Sequence, residues 1–191
     1  MTSPAPWPHT IVILAGGASR RMGEPKHALQ LADGRTLADL AASLARATAR
    51  RVVVSGPTSV LPDLEHIADR TPDGGPLAGI EAVMASGGDD QYLFLPCDMP
   101  GLTPELLTRL AAGLQEADAT VFQRPGPGPR PVLPLGLRDT PSVHDALGPG
   151  AVHQLVERLD PVLVPVTAEE DCFLLNINTP AEWDDFYRSL R

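Results

Sequence analysis

The chain has 191 residues, 43% hydrophobic and only 4% aromatic, which suits one domain whose core is built from Ala, Val, Leu and Ile. Twenty-four acidic against fifteen basic residues give a formal charge of −9, which argues against a general nucleic-acid binder and leaves phosphate chemistry to a local device. Cys97 and Cys172 are too few and too far apart for a disulfide scaffold or a four-ligand zinc site, and no apolar run is long enough to span a bilayer.

Residues 1–9 lack the basic region and apolar run of a signal peptide and are expected to form a disordered tail, so a reduced, cytoplasmic setting fits. Residues 10–15 are a buried, β-branched strand stopped by Gly16-Gly17. A polar loop follows, bearing Arg20, Arg21 and Lys26, the only lysine beside fourteen arginines. Residues 37–49 repeat Ala and Leu at spacings of three and four and predict a helix. Residues 52–55 predict a second strand closed by Gly56-Pro57, and residues 77–85 a helix after Gly74-Gly75-Pro76. Residues 92–96 predict a strand ending at Cys97-Asp98. Thr103-Pro104-Glu105 supplies a cap, a proline at the first helical position and an early acid for the next helix. Residues 119–122 predict another strand.

From 125 to 150 prolines and glycines crowd the chain, so an irregular segment is expected there, with a broken helix between 145 and 159. Residues 162–166 and 173–177 predict late strands. Thr179-Pro180-Ala181-Glu182 is a capping box that starts a terminal helix, with Trp183, Phe186 and Tyr187 on its packed face. Strands alternating with helices imply one three-layer α/β domain over 1–191, its sheet mostly parallel and its ligand site at the carboxyl ends of the strands.

Four stretches carry residues suited to phosphate chemistry. Paired glycines after a buried strand let backbone N–H groups approach a polyanion, and Arg20, Arg21 and Lys26 add three cations within seven residues. Gly17 to Gly23 has the spacing of neither a Walker A loop nor a Gly-x-Gly-x-x-Gly turn. Asp98, directly after a strand, suits either a turn or a Mg²⁺ held against phosphates. Asp69 and Asp73 precede Gly75-Pro76-Leu77-Ala78-Gly79, and Asn176 and Asn178 share one side of an extended stretch.

The thirteen-residue run from Leu14 to Lys26, Leu-x-Gly-Gly-x-Ser-x-Arg-Met-Gly-x-x-Lys, resembles the signature loop of the nucleotidyltransferases related to molybdenum cofactor guanylyltransferase. Cys97-Asp98-Met99-Pro100, Gly75-Pro76-Leu77-Ala78-Gly79 and Asn176-Ile177-Asn178-Thr179-Pro180 are similar to its further motifs, in the family's order. The resemblance implies a Rossmann-like nucleotidyltransferase fold that transfers GMP from GTP to the terminal phosphate of the molybdenum-pterin cofactor and releases pyrophosphate. It implies that Leu14, Ala15, Gly16, Gly17, Arg20, Arg21 and Lys26 wrap the nucleotide. It gives Asp98 a Mg²⁺ ion, Asp69 (with Asp73 as rival) a nucleotide contact, and Asn176 and Asn178 the acceptor side. Lys26 and Asp98 are the catalytic pair in this reading. GTP and the pterin cofactor are the implied partners, with transient contact to proteins that deliver the cofactor, and neither nucleic acid nor membrane. Two departures stand out: Ser55 replaces an Asn common in relatives, and 125–150 replaces a longer helical segment near the acceptor. A cytidylyl or sugar-phosphate nucleotidyltransferase, or a nucleotide-binding adaptor without turnover, stays open as an alternative.

Overall fold

A computed structural model describes residues 6–16, 25–69, 74–126 and 132–189. Its centre is β1 (Trp7–Leu14), in which Ile11, Val12 and Ile13 are all fully buried. A strand covered on both faces cannot alternate apolar with polar residues, which is why this one reads as a continuous aliphatic run. Each such side chain removed from water contributes about 1.5–3 kcal/mol. β1 pairs in parallel with β2 (Ala49–Ser55) on one side and β4 (Gln91–Pro96) on the other. The full order is β3-β2-β1-β4-β6-β5-β7, where β3 is Glu65–Ile67, β5 Ala119–Gln123, β6 Leu135–Arg138 and β7 Val162–Pro165. Only β6 runs antiparallel, to both of its neighbours. The order turns back on itself between β1 and β4, and crevices at such switch points are where open α/β sheets bind ligands.

Helices cover both faces. α1 (Leu37–Thr48) and α3 (Pro104–Gly113) pack on the side of Ile11 and Ile13. α2 (Gly75–Ser86), α4 (Pro141–Ala146) and α5 (Val152–Leu159) pack on the side of Val12 and Leu14. α1 starts at a reciprocal cap, in which Thr36 Oγ1 accepts from Asp39 N and Asp39 Oδ2 accepts from Thr36 N. α3 starts at the predicted Thr103, whose hydroxyl accepts from Leu106 N. α6 (Pro180–Ser189) lays Trp183 and Phe186 over Leu29, Leu37 and Ile177, as the spacing of its aromatics predicts.

Three expectations fail, each for a physical reason. The tail ends earlier than expected: Trp7 and His9 belong to β1, where His9 Nδ1 and Thr10 Oγ1 each lie 2.6 Å from an oxygen of Asp89. The 125–150 segment is not irregular throughout, for it contains β6 and α4 (residues 127–131 lie outside the described ones). β6 reads poorly because Gly136 breaks its aliphatic pattern, yet a Cβ there would strike Thr120 Oγ1 on β5. Residues 173–177 form no strand. Glu170–Leu174 is a 3-10 turn, tied down by Arg109 to Glu170 and by Arg124 to Asp171, each at 2.5 Å. Over 173–177 the buried residues, Leu174 and Ile177, are three apart and not two, while Phe173 and Leu175 stand exposed.

Candidate active site

The register brings three strand ends to one rim. Leu14 pairs with Ser55 on β2 and with Pro96 on β4, so Gly16, Gly56 and Asp98 lie just beyond the sheet at the switch point. Ala15 N donates to Ser55 O at 2.9 Å. Gly56 has a φ of +140°, and a Cβ on it would lie 3.0 Å from Gly16 N, so both backbones press together only because this residue has no side chain.

Lys26 opens a one-turn 3-10 segment, Lys26–Ala28, closed by Ala28 N donating to Pro25 O and anchored by buried Leu29. From there its ammonium reaches across the crevice. Nζ donates to Asp98 Oδ2 at 2.8 Å and to Asn178 Oδ1 at 2.7 Å. Asn176 Nδ2 approaches the other carboxylate oxygen, Asp98 Oδ1, at 3.4 Å. Side-chain exposures of 19% for Lys26 and 17% for Asp98 place this pair well inside the range where water screens it weakly. Residues 72 and 152 positions apart in sequence thus meet at one ammonium.

The asparagines are held by their backbone. Ile177 N, between them, donates to Asp98 O at 2.8 Å. Glu182 Oε2 accepts from Asn178 N at 2.7 Å and from Thr179 N at 2.8 Å. Those donors, Asn178 first, hold the Glu182 carboxyl below its ordinary range. Glu182 therefore serves as more than a helix cap, a role the capping-box spacing alone signals only for Thr179.

A second carboxylate stands on the opposite flank. Asp69, two residues beyond β3, accepts at Oδ1 from Ser55 Oγ at 2.6 Å. Its other oxygen faces Gly16, where a Cβ would sit 3.4 Å from Oδ2. Ser55 is 2% exposed and lies beneath α2, in which the missing side chain of Gly79 leaves room for the hydroxyl.

Lys26, Asp98, Asn176 and Asn178 are thus brought together, with Gly16 and Asp69 on the same rim. Leu14 and Ala15 are buried, and the Ala15 amide is already used by Ser55 O, so from Leu14 to Gly16 the turn presents its last residue most openly. Gly17, Arg20, Arg21 and Asp73 lie outside the described residues. Cys97 beside Asp98 is no nucleophile. Burial, reinforced by the Asp98 charge, pushes its thiol up to about 12. Burial also lowers the pKa of His27, next to Lys26, which favours its neutral form.

Among the described residues no three His, Cys, Asp or Glu side chains gather as a metal cage, and no helix is long and apolar enough to cross a membrane. One carboxylate flanked by amides does fit Mg²⁺, which is usually held by one or two carboxylates and completed by water and substrate phosphates.

A doubly wound sheet whose switch point gathers an ammonium, a carboxylate and two amides beside a glycine turn defines a nucleotidyltransferase-like domain. The comparisons with known proteins agree. Residues 11–171 match the MobA-like NTP transferase domain, and the chain belongs to that family. A molybdenum cofactor guanylyltransferase of Xanthomonas euvesicatoria pv. vesicatoria (strain 85-10) is 37% identical, over 96% of this chain and 95% of that protein. One of Syntrophotalea carbinolica is 29% identical, over 93% and 90%. Among solved structures, molybdopterin-guanine dinucleotide biosynthesis protein A from Archaeoglobus fulgidus superposes with a TM-score of 0.75 at 23% identity, covering 95% of this chain and 98% of that one. The 2-C-methyl-D-erythritol 4-phosphate cytidylyltransferase from Thermus thermophilus shares the fold at a TM-score of 0.68 and 17% identity, over 94% and 98%.

Proposed function

We propose that this chain transfers GMP from GTP to the terminal phosphate of the molybdenum-pterin cofactor, releasing pyrophosphate. The observation that carries the reading is the meeting of Lys26, Asp98 and Asn178 at the mouth of the switch point, on a chain 37% identical to a guanylyltransferase. An oxygen of the acceptor phosphate forms the new bond to the α-phosphorus, and the bond from that phosphorus to the pyrophosphate oxygen breaks. The attacking phosphate is already ionised at pH 7, so no general base is needed. The protein contributes alignment and charge neutralisation.

Lys26 is a compact point charge on a flexible stem and moves from the carboxylate to the incoming phosphates. Asn176 and Asn178, fixed by Ile177 N and Glu182, offer amides on the acceptor side. Gly16 lets the nucleotide approach the backbone, and Arg20 and Arg21 add charge from the same loop. Asp98 would hold Mg²⁺, which would supply neutralisation of phosphate charge. We place the reaction in the cytoplasm, where free thiols such as Cys97 and Cys172 persist and proteins that deliver the cofactor meet the enzyme transiently.

Pyrophosphate release from GTP, CTP and ATP, each with molybdopterin and with or without Mg²⁺, tests this. GTP turnover that requires both molybdopterin and Mg²⁺ is expected. A preference for CTP moves the chain to cytidylyl transfer, and nucleotide binding without turnover makes it an adaptor.

A further inference from the structure

Among the described residues of the rim, the bond between Ser55 and Asp69 takes no part in the phosphate chemistry. Ser55 is a buried residue with a single hydroxyl proton, and that proton goes to Asp69 Oδ1 at 2.6 Å. Its hydroxyl therefore has no proton left to donate to a nucleotide. What the bond does is fix the carboxylate. Asp69 stands two residues past the end of a three-residue strand, where a short side chain would otherwise exchange rotamers freely. With Oδ1 held, Oδ2 is turned toward Gly16, the turn through which the nucleotide approaches.

A carboxylate offers only acceptors. The planar base edge it matches carries two adjacent N–H donors, as guanine does with N1–H and its 2-amino group. Adenine offers an acceptor nitrogen at the same place, and the pairing is lost. Gly79 completes the arrangement from α2. Any Cβ there would overlap Ser55 Oγ, and would also come within 3.1 Å of Leu14 Cδ2.

We propose that Ser55 is a positioning residue for base selection: it touches no substrate, but orients Asp69 toward the guanine edge, in a space that Gly79 keeps open. This rests on the GTP reading above. The test measures KM and kcat for GTP and ATP in the wild type, Ser55→Ala, Gly79→Ala and the double variant, with direct binding of GTP, ATP and ITP as a second readout. Ser55→Ala is expected to raise the KM for GTP about tenfold, the scale of one lost hydrogen bond to a charged group, with less loss in kcat. The GTP-over-ATP ratio falls with it. ITP, which lacks the 2-amino group, should be weakened less than GTP by the substitution. Gly79→Ala displaces the hydroxyl and should reproduce the fall in the GTP-over-ATP ratio, while its remaining contact with Leu14 leaves that ratio unchanged in the Ser55→Ala background.

Retention of the wild-type GTP-over-ATP ratio in Ser55→Ala overturns the proposal, as does a further fall of that ratio in the double variant. A wild type that does not favour GTP at all overturns the GTP reading itself, so the two failures are told apart. Should Gly79→Ala not fold, Ser55→Ala decides alone.

Discussion

The two ends of the β1–β4 pair each carry a carboxylate bound by side chains from neighbouring segments, yet they are built for opposite purposes. At the amino end Asp89 accepts from Thr10 Oγ1 and lies against His9 Nδ1, both at 2.6 Å, and its own amide donates to Tyr92 Oη at 2.9 Å. Thr10 and Tyr92 are strand residues, essentially without exposure, so Asp89 is fixed by groups built into the sheet, with the His9 side chain at its water-facing edge. At the carboxyl end Asp98 is bound at the longer distances of 2.8 and 3.4 Å, and its nearer partner is an ammonium at the tip of a long, rotatable stem. The asparagines beside it are secured through their backbone by Ile177 N and Glu182, so their amides stay in place when Lys26 moves. A carboxylate locked by strand neighbours stabilises, and one held by an exchangeable cation can serve a substrate.

The largest expected effect lies at the exchangeable end. Asp98→Ala should lower GTP turnover by about 10²–10³-fold or more, the scale of losing one preorganised electrostatic group. Its melting temperature should stay close to wild type, because the rim is stabilised mainly by the buried strands. Steady-state rates beside a thermal melt check both halves, and turnover surviving in Asp98→Ala would remove this residue from the centre. Next in size is Lys26→Arg, which keeps the charge but replaces a point donor by a planar fork. It should cost about 10–100-fold in kcat. Near-wild-type rates would mean that any cation suffices there and that the contrast between the ends does not turn on this side chain.

Both poles are only partly legible in sequence. Lys26, Asp98 and Asn178 stand in motifs whose order is readable, and β1 and β4 are aliphatic enough to place them at one sheet edge. What does not show is anything carried by a single polar contact across the fold. Ser55 looks like a departure from a common Asn, and its bond to Asp69 depends on β3, a strand of three residues with no distinct pattern. Trp7 to His9 looks like tail because Pro4, Pro6 and Pro8 alternate through the first nine residues, whereas Asp89 draws His9 into the sheet. The 173–177 stretch looks like a strand because its residues are mostly apolar. Composition does not reveal that Arg109 and Arg124 pin the preceding acids into a turn, which leaves the next residues free to bind Asp98 O through Ile177 N.

The smallest expected effect belongs to the locked end and falls on stability alone. Asp89→Ala leaves the fully buried Thr10 hydroxyl without its acceptor, a cost of about 1–3 kcal/mol. For a domain of this size each kcal/mol lowers Tm by roughly 2–4 °C, while turnover per folded molecule stays as in wild type. The pH dependence follows from the carboxyl itself. Burial raises its pKa, but the hydrogen bonds from Thr10 and His9 outweigh burial and hold it below the usual range. The unfolded chain then takes up the proton before the folded one does. The Asp89 contribution is therefore complete above the unfolded value, about 3.9, and is lost as pH falls through the depressed folded value. The Tm gap between wild type and Asp89→Ala should be full at pH 7 and narrow below about pH 4. A gap that stays constant down to about pH 3 would show that shape, and not charge, locks this end of the sheet.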